Sequence, residues 1–92
     1  MHVIEHAFSL GQIVATRNAL DSLPLPDLHA ALDRHQQGDW GDVCKADHAA
    51  NDAAVFEKGR LLSVYKTAGG TKFWIITEWD RSATTILLPE DY

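Results

Sequence analysis

Between residues 60 and 88 the chain runs through three β-rich segments separated by two short turns, an order that calls for an antiparallel meander. Residues 60–67 and 72–78 are rich in Leu, Val, Ile and aromatic side chains, which suit a pleated, half-buried surface. Ala68-Gly69-Gly70-Thr71 between them is a hairpin turn, because glycine reaches positive φ without steric cost. Trp79-Asp80-Arg81-Ser82 makes the second turn. Residues 83–88 then form the third strand, and Pro89 stops it, having no amide proton for a ladder. Within residues 72–78, Phe73 and Ile75 point one way while Trp74 and Ile76 point the other. A sheet wetted on one side alternates apolar and polar residues more cleanly than this. Either helices cover most of one face and the rest of the other is a packing surface, or the sheet is shared in an oligomer.

The first two-thirds supplies the cover. Residues 11–16 read as a short strand that can extend the meander, and Thr16 has the chemistry to N-cap a short helix over residues 17–23. Leu23-Pro24-Leu25-Pro26 ends that helix, and Pro26 opens a second one over residues 26–36. Leu25, Leu28, Leu32 and His35 recur at helical spacing and form its apolar face, with His35 expected to be packed or hydrogen-bonded. A third helix spans residues 45–58. Its alanines leave a thin apolar face, Asp42 or Cys44 stands near its start, and Gly59 is expected as its C-cap. The fold class is α+β: three helices, the first short, then a three-stranded antiparallel meander with an added N-terminal strand as an option. The whole chain of 92 residues reads as one domain, with residues 1–9 loosely held.

Composition narrows the function classes. The net charge is −5, and the eight basic residues are scattered, whereas non-specific nucleic-acid binding is driven by clustered phosphate contacts. Arg60, Lys66 and Lys72 are the basic side chains able to gather on one sheet face. Cys44 is the only cysteine, so the domain folds without an internal disulfide; a buried or half-buried place near a helix start is expected for it. No signal sequence or membrane span is evident in the sequence, which places the protein in the cytoplasm. No phosphate loop, dinucleotide fingerprint or paired-cysteine zinc motif is present, and no cofactor is called for.

Three groups of residues carry candidate chemistry. In Gly38-Asp39-Trp40-Gly41-Asp42 the tryptophan is either a plug between helix and sheet or an aromatic anchor for a partner, flanked by Asp39 and Asp42. Trp74 and Trp79 are the other interaction candidates. Asp39, Asp42, Asp47, His48 and Asp52 are the candidate metal ligands, His48 and Asp52 sharing a helix face; helix capping and solvated charge explain the same residues. Glu78, Asp80, Arg81 and Ser82 are the catalytic candidates, as base, anion clamp and nucleophile. A polar network of Asp80, Arg81 and Glu78 that holds the turn is the competing reading.

Gly38-Asp39-Trp40-Gly41-Asp42, Ser63-Val64-Tyr65 and Trp74-Ile75-Ile76-Thr77-Glu78-Trp79-Asp80-Arg81-Ser82-Ala83-Thr84-Thr85-Ile86-Leu87-Leu88-Pro89 resemble a family of small bacterial proteins often labelled plasmid-related. The resemblance runs from Leu10 onward and rests on a Gly-Asp-Trp-Gly-Asp string and a Thr-Glu-x-Asp-Arg-Ser-x-Thr-Thr segment. It implies no catalytic or binding residue; it implies association with mobile elements and a regulatory role toward the host. The expected function is a small acidic interaction or regulatory protein whose partner is a protein, a second copy being the simplest case. The alternatives are a metal-dependent hydrolase and a nucleic-acid-associated modulator.

Overall fold

Thr16 opens the first helix as its chemistry requires: extended backbone, with the side-chain oxygen accepting the Ala19 amide at 3.1 Å. A computed structural model describes residues 8–92. Its elements are β1 (Gln12–Ala15), α1 (Arg17–Ser22), α2 (Leu25–Gln36), α3 (Lys45–Glu57), β2 (Leu61–Lys66), β3 (Lys72–Thr77) and β4 (Ala83–Leu87), closed by a 3₁₀ turn at Pro89–Asp91. Of the loosely held start expected over residues 1–9, residues 1–7 lie outside the described residues, and Phe8 is buried.

The meander is antiparallel, with Lys66 opposite Lys72 across β2 and β3 and Thr77 opposite Thr84 across β3 and β4. The N-terminal strand is present as well. It lies parallel to β4, so the sheet order is β1-β4-β3-β2. Strand alternation sends Tyr65, Phe73, Ile75 and Ile86 inward, where they pack with Ala19, Leu23, Leu28 and Ala31 of the α1–α2 region. A second, smaller core joins Leu61 to Phe8, Trp40 and Ala54.

The Trp40 loop also closes one side of the sheet. Val64 donates its amide to the Trp40 carbonyl at 3.0 Å, and Asp42 donates to the Val64 carbonyl at 2.7 Å, so the outer edge of β2 is covered there. Gly41 makes the approach possible at φ +73°, since a Cβ would run into the Val64 carbonyl and the Tyr65 ring.

Two local expectations need correction. The left-handed residue ending α3 is Lys58 at φ 58°, not Gly59. Gly59 is required for another reason: a Cβ on it would sit 2.8 Å from the Ala54 Cβ. An L side chain in the left-handed region costs about 1 kcal/mol, so Lys58→Gly should stabilise the fold by about that much, read as a raised urea midpoint with unchanged slope. Cys44, expected to be at least half-buried, stands exposed at the N-cap of α3.

Candidate functional site

The acidic loop string does not present its tryptophan. Trp40 is 1% exposed, stacked on Phe8 at 5.9 Å and set edge-on to His35 at 5.6 Å. Its indole N–H donates to Asp52 at 2.9 Å. Trp40 is thus a plug and offers no anchor to a partner. Asp39 pairs with Arg34 through two hydrogen bonds of 2.7 and 3.2 Å, and this guanidinium contact holds its carboxyl below the usual range.

The five candidate metal ligands do not converge. Asp39 is bound to Arg34 and Asp52 receives the Trp40 indole, while His48 lies 3.2 Å from Asp52 on the exposed side of α3. Among the described residues no group of three or more His, Cys, Asp or Glu side chains is placed to hold a metal.

The second turn is built around Arg81, though not as an acid–base network. Arg81 adopts φ 61° and donates to the carbonyls of Gly59 at 2.6 Å, Ala54 at 2.8 Å and Glu78 at 3.1 Å. It ties the end of α3 and the entry to β2 onto the turn, with Nη1 and Nη2 both engaged by backbone carbonyls. Hydrogen bonding from Ser82, by its side chain first and its amide second, lowers the Asp80 pKa; the amide lies at 3.0 Å, and Glu78 lies 3.8 Å from Arg60. The expected contacts of Arg81 with Asp80 and Glu78 carboxylates are replaced by these carbonyl contacts.

The fold does assemble a set of hydroxyls and an imidazole that no spacing in the sequence announced. His35 Nδ1 lies 2.5 Å from Ser63 Oγ and Nε2 lies 2.8 Å from Thr77 Oγ1; Thr77 Oγ1 lies 2.7 Å from Thr84 Oγ1. Thr84 in turn donates to the Leu10 carbonyl at 2.7 Å. A carbonyl only accepts, so the direction of the whole chain is fixed from that end. Thr84 spends its proton on Leu10, Thr77 donates to Thr84, and His35 donates from Nε2 to Thr77. Ser63 must then donate to a bare Nδ1. The imidazole is neutral, and burial together with the nearby Arg81 charge lowers its pKa to about 4. Ser63, His35, Thr77 and Thr84 are all fully buried, so this Ser–His contact is closed to a substrate and holds the core.

The open surface lies on the other side of the sheet. Alternation places Arg60, Leu62, Val64, Lys66, Lys72, Trp74, Ile76 and Glu78 on this outer face; among the described residues no core residue of the helices clusters with them, although Ile76 is buried there. Arg60, Lys66 and Lys72 share a face, as their parity implies. Trp74 is half-buried and meets the exposed Tyr92 edge-on at 5.6 Å. Arg60 sits over the Tyr92 ring at 5.5 Å and donates to its hydroxyl at 2.9 Å. These three residues, with Leu62 and Ile76, line a cavity of about 310 Å³. Trp79 stands apart on the β3–β4 turn, 61% exposed. Parity alone puts Arg60 and Trp74 on one face, with Arg60 at the Glu78 end of the strand pair; the position of Tyr92, which meets both, depends on the 3₁₀ turn and has no sequence signal.

No family model, curated protein or solved structure matches this chain.

Proposed function

We propose that the chain is a small acidic interaction protein that docks a partner protein on the outer face of its sheet. The supporting observation is the cluster of Trp74, Tyr92 and Arg60 around one cavity on a face that, among the described residues, no helix core reaches. Trp, Tyr and Arg are the residue types that dominate binding energy at protein interfaces, because each combines large contact area with a directed polar group. The charge of the face describes the partner. Lys66 and Lys72 stand directly opposite each other, an arrangement that costs about 0.2–1 kcal/mol. Carboxylates of a partner would relieve it, so the docking segment is apolar at its centre and acidic at its rim. A regulatory role toward a host protein fits such a surface.

A second reading has one observation in its favour: aromatic Trp74 and Tyr92 share the face with three cations, the combination that stacks and tracks a single-stranded nucleic acid. The two separate by experiment. Trp74→Glu should abolish capture of a partner protein while Phe56→Ser, on the exposed side of α3, leaves capture unchanged. Equal capture by both variants would remove the outer face from consideration. Anisotropy of a labelled single-stranded oligonucleotide at two salt concentrations tests the alternative, and binding with a steep salt dependence would establish it. No binding is expected.

A further inference from the structure

We infer that β1 is a self-association edge, pairing antiparallel with β1 of a second copy to continue the sheet across a two-fold axis. Gln12 donates its amide to the Ser82 carbonyl and Thr16 to the Ile86 carbonyl, both at 3.0 Å. The even-numbered residues of β1 therefore face β4, and Ile13 and Ala15 direct their N–H and C=O groups away from the sheet. Among the described residues nothing pairs with that side. The opposite edge, on β2, is covered by the Trp40 loop, whereas β1 carries none of the charges, prolines or bulges that protect an edge.

The strand is complementary to itself. With the axis at Val14, Ile13 pairs with Ala15 of the second copy and Ala15 with its Ile13, so all the outward groups of both strands are satisfied. Val14 meets its own copy on the outer face with no charge nearby on either strand. On the inner face, a cavity of about 330 Å³ lies between β1 and α2, lined in part by Ala15, Leu25, Leu28 and Leu32. Pairing sets Ile13 of the second copy beside Ala15, at the mouth of that cavity. Ile13 is 50% exposed and Leu25 63%, apolar surface that a neighbouring strand would cover. A dimer of ordinary size hides about 800 Å² per subunit, roughly one-seventh of the 5802 Å² of this chain. The strand supplies the centre of that area, and exposed Leu20 and Leu25 supply apolar surface along the same margin.

This proposal does not depend on the outer-face reading, since Trp74 takes no part in it. Light scattering of the purified full chain over a concentration series should show a dimer. Ile13→Pro removes an outward N–H and leaves the bonds to β4 intact, and Val14→Lys sets like charges across the axis; each should weaken self-association about tenfold or more. Mixing Val14→Lys with Val14→Glu should restore the dimer. In the unmodified chain, amide exchange at Ile13 and Ala15 should slow as concentration rises. A monomer at every concentration, a dimer that survives both single variants, or exchange at these amides independent of concentration would each overturn the proposal, including in favour of an extended strand from another protein.

Discussion

Replacing Trp40 by alanine should remove about a third or more of the stability of the fold. The indole fills the space between the sheet and α3, touches Phe8 and His35, and is anchored to Asp52, so nothing adjacent can close the void. Truncating a buried tryptophan costs about 3–5 kcal/mol, against a total stability of about 5–14 kcal/mol for a chain of this length. Trp40→Phe keeps most of the volume and should cost about 1–2 kcal/mol. Urea melts of the two variants decide the matter. A Trp40→Ala loss below about 1 kcal/mol would place the tryptophan outside the core.

Acid should destabilise the fold through His35 well before its carboxylates are fully protonated. The imidazole has an ordinary value of 6.5, and in the folded chain burial and Arg81 hold it at about 4. The unfolded chain therefore binds a proton in a pH range where the folded chain does not. A depressed histidine contributes stability that is present above the unfolded pKa and lost as pH falls from about 6.5 to about 4, for up to about 3 kcal/mol. Protonation also asks Nδ1 to donate to Ser63, which reverses that one hydrogen bond and leaves the run from Nε2 through Thr77 and Thr84 to Leu10 unchanged. Chemical denaturation at pH 7, 5.5 and 4.5 should show falling midpoints, and the ring nitrogens should report a neutral Nε2–H tautomer at pH 7. A midpoint that rises toward acid, or an Nδ1–H tautomer, would contradict the assignment.

Much of this fold could be read from the chain because its signals are local. Thr16 as a cap, proline at the start of α2, and Gly69-Gly70 in a hairpin each act within a few residues. The strand faces followed from alternation alone, including the separation of Phe73 and Ile75 from Trp74 and Ile76. What could not be read depends on groups far apart in sequence. The His35 chain draws on Leu10, Ser63, Thr77 and Thr84, four segments brought together only by the finished sheet. Arg81 looked like a reactive side chain because its partners are backbone carbonyls, which composition does not display. Lys58 took the left-handed position because Gly59 had to lie against Ala54, a steric demand one residue displaced from the usual helix ending. Trp40 stood open between plug and anchor, since both uses require the same aromatic residue beside flexible glycines.

The outer face is the centre of the functional account, and the state of Trp74 in a complex reports on it most directly. Hydroxyl-radical footprinting of the chain alone and of the chain bound to its captured partner compares side chains within one experiment. Docking on the outer face predicts that Trp74 and Tyr92 become protected while Trp79, on the turn, stays as reactive as in the free chain. Unchanged oxidation of Trp74 with protection confined to Trp79 would contradict it.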